Sequence, residues 1–214
     1  MSHHKKLCDD DLIHKENLLS IVNDGHFRIA LFGSARITAQ DFIYQEVAEL
    51  AKRITKNGYD IVTGGGPGAM EAASYGHQIA VHGDNAGRSI GINIELPFEQ
   101  HPNKYLDFTE TASTFSSRLD TFVLLSHVFV VTPGGIGTLL ELFYTWQLMQ
   151  VGHICRTPII LWGEQYKTLV TYINEELVAR GYMNAHEAEL VIQADTVEKT
   201  VELIHMAHSA YEKS

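Results

Sequence analysis

Apolar and polar positions along this chain follow two periods in turn. Short runs of consecutive apolar residues, typical of strands buried on both faces, are each followed by a stretch with apolar residues at helical spacing. The strands predicted in this way are 27–33, 59–66, 88–96, 127–135, 157–163 and 188–195. The predicted helices are 41–58, 68–82, 111–126, 137–153, 164–181 and 196–210.

The regular alternation of strand and helix predicts an α/β fold, a Rossmann-like doubly wound parallel sheet with helices on both faces. We assign residues 26–214 to this single domain and residues 1–25 to a helical extension packed on its outside. Ligands of such sheets bind beyond the carboxyl ends of the strands, where the strand order reverses. We therefore expect the functional residues in the loops that follow the strands.

Composition narrows the classes of protein to which this chain can belong. With 45% hydrophobic and 20% charged residues, the chain can bury a sizeable core. It has no apolar run long enough to span a bilayer, and its N-terminal stretch lacks the apolar core of a signal peptide. The net charge of -10 argues against a broad nucleic-acid surface, but it allows a small anion at one local site.

Cysteine and histidine positions give no indication of a metal site. Cys8 and Cys155 lie far apart and outside any metal-ligand or redox spacing, so we expect a reduced, cytoplasmic protein. The 12 histidines are scattered and form no HExxH pattern. We interpret them as surface or core residues rather than as ligands.

Three loops at strand ends have the composition of a phosphate site. TGGGPGAM (63–70) and TPGGIGT (132–138) each lead directly into a helix, and GSAR (33–36) supplies a serine and a cation. Glycine lets a ligand approach the backbone closely, and the N–H groups at a helix N-terminus attract a phosphate. Neither glycine-rich loop matches a Walker A sequence or the GxGxxG dinucleotide pattern. The pair of loops therefore predicts an anionic ligand without naming it.

A single carboxylate, Glu141, lies in the apolar run that follows the second glycine-rich loop. If the helix begins near Gly135, Glu141 lies in its second turn. It then shares a helix face with Gly137 and Thr138, and Thr145 lies one turn further on. The alternative is an ordinary exposed glutamate, which the apolar neighbours of Glu141 disfavour.

Arg118 is the second candidate for a functional side chain. The helix 111–126 returns antiparallel to the strand that follows it, so its N-terminal end should lie beside the loops. An arginine at that place can bind a phosphate or a carboxylate through a bidentate fork. The alternative is a surface arginine.

Several of these segments resemble a known family. VTGGGPGAMEAA and TPGGIGTLLELFYTWQLMQVG are similar to successive blocks of the LOG ("Lonely Guy") family, the cytokinin riboside 5′-monophosphate phosphoribohydrolases, whose signature is PGGxGTxxE. LFGSAR and GINIELPFEQHPN extend the resemblance over about residues 28–163, and the second of these resembles the bacterial type II subgroup. Members of the family are frequently mislabelled as lysine decarboxylases.

The resemblance implies roles for individual residues. Arg118 and Glu141 correspond to the catalytic pair of the family. The implied substrate-binding residues are Gly33, Ser34, Gly65, Gly66, Met70, Gly134, Gly135, Gly137 and Thr138. We add Thr145, because it shares a helix face with Glu141. One position departs from the family pattern: Arg118 is followed by Leu119 where a lysine is frequent, so a second cation is missing.

The implied reaction is hydrolysis of the N-glycosidic bond of a nucleoside 5′-monophosphate, AMP or an N6-modified AMP, to free base and ribose 5-phosphate. Arg118 would anchor the ligand and keep Glu141 ionised, because an arginine is nearly always charged. The base would be recognised around Met70 and the IELPFEQ segment. We expect no metal, no cofactor, no nucleic acid and no membrane partner, and the resemblance implies a homodimer or a higher homo-oligomer.

Two other classes of function remain open. One is a non-catalytic nucleotide or cofactor carrier on the same fold, as in the related molybdenum-cofactor carrier proteins. The other is a dinucleotide-dependent oxidoreductase, which the missing fingerprint disfavours. Decarboxylation through pyridoxal phosphate is disfavoured too, because it requires a Schiff-base lysine and the glycine-rich loops contain none.

Overall fold

Seven strands form one fully parallel sheet, which confirms the predicted α/β class. A computed structural model describes residues 20–81, 87–95 and 101–213. The strands are β1 (Arg28–Phe32), β2 (Asp60–Thr63), β3 (Ser89–Ile94), β4 (Phe108–Ala112), β5 (Val128–Val131), β6 (Ile159–Trp162) and β7 (Val191–Ala194). They lie in the order β4-β3-β2-β1-β5-β6-β7, and every neighbouring pair is parallel.

The strand order reverses beside β1. From β1 the chain builds outward through β2, β3 and β4, and then returns to place β5 on the other side of β1. Phe32 and Val131, the last residues of β1 and β5, are register partners. The loops that follow β1 and β5 therefore leave the sheet side by side, at the switch point where ligands of such sheets bind.

Helices cover both faces of this sheet. They are α1 (Phe42–Lys56), α2 (Ala69–Gln78), α3 (Phe115–Leu125), α4 (Ile136–Gln150), α5 (Tyr166–Tyr172), α6 (Ala185–Ala188) and α7 (Val197–Tyr211). A π-helical segment, Ile173–Val178, continues α5. Helices α3, α4 and α5 contribute to one apolar core, and α1, α2 and α7 contribute to the other.

Successive residues of the central strands pack into opposite cores, which explains their continuous apolar runs. Ala30 and Phe32 of β1 belong to the core beneath α3 and α4, whereas Ile29 and Leu31 belong to the core beneath α1 and α7. Because both faces of a parallel sheet are buried, apolar residues are favoured in both sets of positions. The doubly wound arrangement predicted from the sequence is therefore confirmed.

The predicted helix 111–126 was wrong at its beginning. Thr111 and Ala112 belong to β4, an edge strand in which exposed residues alternate with more buried ones. The helix starts at Phe115, because the Thr114 side chain accepts a hydrogen bond from the backbone N–H of Ser117 in a capping box. The short helix α6 was also missed, since its four residues are too few to show a period.

The N-terminal helical extension 1–25 lies largely outside the described residues. Residues 20–22 are helical, and Ile21 packs into the core beneath α3 and α4. The division of the chain at residue 26 stays a prediction. Within the part of the chain that the structure describes, no helix combines the length and apolar character needed to cross a membrane.

Candidate active site

A cleft of about 680 Å³ opens at the carboxyl edge of β1 and β5. The loops after β1 and β2, the end of β3, the first turns of α3 and the N-terminal half of α4 line it. The structure therefore brings most of the sequence-predicted site residues to one place, namely Gly33, Ser34, Met70, Arg118, Gly135, Gly137, Thr138 and Glu141.

The remaining predicted residues lie beside the cleft but do not line it. Gly65 and Gly66 are buried behind it. Gly134 supports the turn before α4, where a Cβ atom would lie 2.1 Å from the Oγ1 atom of Thr138. Thr145 is buried, and its hydroxyl donates a hydrogen bond of 2.9 Å to the backbone carbonyl of Glu141. That hydroxyl is thus used within the helix and does not face the cleft.

Ser34 joins the loop after β1 to the loops after β2 and β5 through backbone hydrogen bonds. Its backbone N–H donates to the carbonyl of Pro133 at 3.0 Å, and its carbonyl accepts from the N–H of Ala69 at 2.8 Å. Gly33 allows this close approach, since a Cβ atom there would lie 2.1 Å from Thr132 Oγ1 and 2.6 Å from Ala69 Cβ. The three loops predicted from the sequence are therefore joined directly by backbone hydrogen bonds.

Asn103 holds the glycine-rich loop after β2, and sequence reasoning missed it. Its Nδ2 donates to the carbonyls of Gly65 and Gly66 at 3.2 and 3.1 Å, and its backbone N–H donates to Gly65 at 2.8 Å. Gly65 and Gly68 have φ angles of +72° and +70°, which glycine adopts without strain. No spacing pattern marked Asn103, because its partners lie far away along the chain.

Helix α4 presents an uncapped N-terminus to the cleft. Its N-cap residue is Gly135, and no side chain caps this end. A Cβ atom on Gly135 or Gly137 would meet no atom within 4 Å. The N–H groups of a first helical turn and the helix dipole both favour an anion. Protein packing does not require glycine at these two positions, whereas a ligand on the backbone would need the space.

Arg118 of α3 and Glu141 of α4 face each other in this cleft. Their Nη1 and Oε1 atoms lie 3.6 Å apart, and the side chains are 14% and 12% exposed. The Nε of Arg118 donates to the carbonyl of Ile92 at 2.8 Å, and Nη2 donates to Gly64 at 3.4 Å. Two backbone carbonyls and one carboxylate therefore fix the orientation of the guanidinium.

Burial controls the protonation of this pair. It raises the pKa of Glu141 to about 7, although the nearby charge of Arg118 opposes the shift. Burial also lowers the pKa of Arg118, and Glu141 partly offsets that effect. A carboxyl group with a pKa of about 7 can gain and lose a proton near neutral pH, which is what acid–base chemistry requires.

A buried tyrosine supports the strand end beneath the pair. The hydroxyl of Tyr166 donates to the carbonyl of Thr132 at 2.8 Å. Burial raises the pKa of Tyr166 to about 12, with a further contribution from the charge of Glu141. Tyr166 thus remains a neutral hydrogen-bond donor that fixes the loop after β5.

In the described ranges, no group of three or more histidine, cysteine, aspartate or glutamate side chains is arranged so that it could hold a metal ion. Among the described residues that line the cleft, the charged ones are Arg36, Arg118 and Glu141. The site is therefore an α/β switch-point cleft built from glycine-rich loops, a helix N-terminus and one arginine–glutamate pair.

Comparison with known proteins places this cleft in a family. Residues 70–204 match the family model described as "Possible lysine decarboxylase", and the chain belongs to that family. The resemblance to LOG proteins is confirmed by a relative from Oryza sativa subsp. japonica, "Probable cytokinin riboside 5'-monophosphate phosphoribohydrolase LOGL2". That relative is 28% identical over 178 residues, which cover 80% of this chain and 69% of the relative.

A second relative shares a shorter region. The pyrimidine/purine nucleotide 5'-monophosphate nucleosidase of Escherichia coli K12 is 29% identical over 121 residues, or 54% of this chain. The match covers only 26% of that enzyme, so the chain spans about a quarter of the length of this relative.

Solved structures with the same fold include proteins that handle the molybdenum cofactor. The molybdenum cofactor binding protein of Rippkaea orientalis has a TM-score of 0.64 at 23% identity, covering 85% of this chain and 96% of its own. The Moco carrier protein of Chlamydomonas reinhardtii has a TM-score of 0.65 at 22% identity, covering 86% and 99%. At this level of identity the likeness shows the fold alone.

Proposed function

We propose that this chain hydrolyses the N-glycosidic bond of a nucleoside 5′-monophosphate, AMP or an N6-modified AMP, to free base and ribose 5-phosphate. The observation that carries the proposal is the position of Glu141, a buried carboxyl paired with Arg118 and facing the anion-attracting cleft. The names of two relatives, a nucleotide 5'-monophosphate nucleosidase and a cytokinin riboside 5'-monophosphate phosphoribohydrolase, support the same chemistry.

The distance from the N-terminus of α4 to Glu141 matches the distance between the phosphate and the anomeric carbon of the substrate. The 5′-phosphate binds at the uncapped N-terminus of α4, around Gly135 and Gly137. Glu141 lies five residues beyond Ile136, the first residue of the helix, which is about 7 Å along the helix axis. A ribose 5-phosphate can bridge that span, so its anomeric carbon comes beside the carboxylate.

Glu141 acts on the sugar and on the attacking water. The bond from C1′ to the base nitrogen breaks with its electron pair moving to the base, and the sugar acquires oxocarbenium character. The carboxylate stabilises that positive charge and accepts a proton from the water that attacks C1′. The base nitrogen takes up one proton, so water is divided between the base and ribose 5-phosphate.

Arg118 acts through Glu141 rather than as a proton donor. A guanidinium is nearly always charged and cannot readily release a proton. Its positive charge stabilises the ionised form of Glu141 against the opposing effect of burial. Phosphate binding at the far end of the ligand supplies energy that positions the sugar for reaction.

Lysine decarboxylation, the activity in the family description, has no support in the cleft. The lining residues that the structure describes include no lysine. A pyridoxal-dependent decarboxylase forms a Schiff base with a lysine in its pocket. The charged groups of this cleft suit a phosphorylated sugar instead.

A second candidate function is a carrier of a nucleotide-like cofactor. The solved structures that share the fold include molybdenum-cofactor binding and carrier proteins. A carrier uses the glycine-rich loops for binding and needs no carboxyl group with a pKa near 7 beside the ligand. The pair formed by Arg118 and Glu141 is therefore the feature that favours hydrolysis.

One experiment separates the two candidates. The purified protein is incubated with a panel of nucleoside 5′-monophosphates, and free base and ribose 5-phosphate are assayed. Hydrolysis predicts release by the wild type and its loss in Glu141→Gln with AMP binding retained. Glu202→Gln, on the exposed surface of α7, serves as the matched control. Tight binding of nucleotides without release by the wild type would favour the carrier and exclude the hydrolase.

We also propose that the chain forms a homodimer through α4. Ile136, Leu140 and Phe143 are 83%, 45% and 43% exposed, and their spacing places them on one face of the helix. Leu140→Glu should convert the dimer to a monomer in light scattering, whereas Met206→Glu, at an exposed position of α7, should not. A wild type that is monomeric at micromolar concentration would contradict the proposal.

A further inference from the structure

Among the described residues, the charged lining of the cleft consists of one arginine–glutamate pair and one further arginine. Arg118 and Glu141 face each other at 3.6 Å, and Arg36 comes from the loop after β1. When Glu141 is ionised, the charges of Arg118 and Glu141 cancel. A phosphate dianion that enters the cleft therefore gains little net attraction from this pair.

Arg118 is also committed to protein partners. Its Nε and Nη2 donate to the backbone carbonyls of Ile92 and Gly64, and Nη1 faces Glu141. Reorienting the guanidinium toward a phosphate would leave those partly buried carbonyls without their donor, which is costly. The earlier expectation that Arg118 anchors the ligand therefore fits its contacts less well than a role on Glu141.

Arg36 is in the opposite situation. It is exposed and lines the cleft. Within residues 20–81, 87–95 and 101–213, its guanidinium takes part in none of the ion pairs or side-chain hydrogen bonds that occupy Arg28, Arg88 and Arg118. An arginine that lines a cleft with its donors unused can accept a ligand without losing a protein contact.

The backbone beneath Arg36 is held in place. The N–H of Arg36 donates to the Oγ of Ser34 at 3.1 Å, and Ser34 is bonded to the loops on either side through Pro133 and Ala69. The side chain of Arg36 can therefore contact a ligand while the backbone of its loop stays in place. The loop after β1 and the N-terminus of α4 line the same cleft.

We infer that Arg36 binds the 5′-phosphate of the substrate, together with the N-terminus of α4, and thereby selects nucleoside monophosphates over nucleosides. This inference rests on the proposed function. A planar guanidinium matches two oxygens of a phosphate, and such charge-assisted pairs are stronger than neutral hydrogen bonds. In a chain of net charge -10, attraction of an anion depends on a local cation of this kind.

The same inference explains how this chain tolerates Leu119. Leu119 is 6% exposed and does not line the cleft. The second cation that the LOG pattern often has at this position is absent from α3, and Arg36 supplies a positive charge from a different loop.

The test compares the binding of three probes, AMP, ribose 5-phosphate and adenosine, by calorimetry in the wild type, Arg36→Ala and Arg36→Lys. Arg36→Ala should weaken AMP and ribose 5-phosphate by about tenfold to a hundredfold, as expected for loss of a charged hydrogen bond. Adenosine should bind equally to all three proteins. Arg36→Lys should recover part of the loss, and the KM for AMP should change more than kcat.

Arg180→Ala, which removes an exposed arginine outside the cleft, is the matched control. Unchanged AMP affinity in Arg36→Ala would overturn the inference, and so would an equal loss for adenosine. An assay of base release distinguishes the two proposals. If the wild type binds AMP without cleaving it, the proposed hydrolase function is excluded, and the binding data still decide whether Arg36 contacts the phosphate. A wild type that binds none of the three probes overturns both.

Discussion

The guanidinium of Arg118 lies 3.6 Å from the carboxylate of Glu141, although the whole of β5 separates the two residues along the chain. Their separation exceeds that of a hydrogen bond, so Arg118 acts on Glu141 mainly through charge. The two effects on the carboxyl group oppose each other, since burial favours the protonated form and the cation favours the ionised form. Burial prevails, and the balance is open to direct measurement.

The pH dependence of the reaction should report the protonation of Glu141. The proposed mechanism requires the carboxylate form, so kcat/KM for AMP should rise with pH and level off above the pKa of about 7. Initial rates measured from about pH 5 to about pH 9 give the profile. A rate that does not vary across this range, or one that falls, would contradict an ionised Glu141.

Arg118→Met should move that inflection to higher pH. Removal of the cation leaves the effect of burial unopposed, so the pKa of Glu141 rises further. Arg118→Lys, which keeps the charge, should show a smaller shift. The same initial-rate profiles provide the measurement, and circular dichroism establishes that each variant is folded. An inflection unchanged from that of the wild type would show that Arg118 does not control Glu141.

Glu141→Gln should stabilise the fold at alkaline pH. The folded-state pKa of about 7 lies above the ordinary value of 4.5, so the folded protein binds the proton more tightly than the unfolded chain. Ionisation costs no stability below 4.5, an increasing amount between 4.5 and 7, and the full amount above 7. The upper limit is about 3 kcal/mol.

Urea unfolding of the wild type and Glu141→Gln at both ends of this range checks the prediction. The two proteins should differ above pH 7 and converge below pH 4.5, the limits set by the two pKa values. A wild type more stable than the variant at alkaline pH would mean that the charge of Arg118 outweighs burial.

Gly135→Ala should affect substrate binding and not stability, whereas Gly152→Ala should affect stability and not substrate binding. A Cβ atom on Gly135 projects into open space in the cleft, and the residue has a φ of -96°. Its substitution should raise the KM for AMP and leave stability within about 0.5 kcal/mol. Gly152 is exposed at a φ of +71°, so alanine there should cost about 1 kcal/mol and leave KM unchanged.

Steady-state kinetics and thermal unfolding of the two glycine variants give the comparison. If Gly135→Ala lost stability and kept its KM, the glycine would serve the turn and not the ligand.

Asn103→Ala should weaken ligand binding through the loop that it holds. The substitution removes the side-chain donor of the Gly66 carbonyl, whereas the Gly65 carbonyl keeps the backbone N–H of Asn103. Loss of the donor of a buried acceptor costs about 1–3 kcal/mol. AMP affinity should fall along with the melting temperature. Asn174→Ala, which removes an exposed amide hydrogen bond to Val170, is the control and should affect neither. Asn103→Ala with wild-type AMP affinity would show that the loop does not bind the ligand.

The sequence predicted the sheet because both faces of the central strands are buried. The continuous apolar runs then identify the strands, and the glycines that follow β1, β2 and β5 mark the loops near the switch point. The edge strand β4 was missed since FTETA has a solvent-facing side and lacks an apolar run. Burial of a whole strand is visible in a sequence, whereas half-burial at an edge resembles a loop.

The site was predictable at the level of loops and less so at the level of single atoms. Glu141 could be placed by counting along a helix from Gly135. The same counting misplaced the hydroxyl of Thr145, which bonds the carbonyl of Glu141 within the helix. Asn103 could not be found by counting, because its contacts with Gly65 and Gly66 exist only once the chain has folded.

Backbone hydrogen bonds join Ser34 to Pro133 and to Ala69. These bonds have a thermodynamic consequence for ligand binding. The conformational entropy cost of ordering these loops is incurred when the chain folds, so it does not reduce the affinity for a ligand. A fragment as small as ribose 5-phosphate should then retain a large share of the affinity of the whole nucleotide. The free and occupied proteins should also show the same backbone conformation around the cleft, with changes confined to side chains.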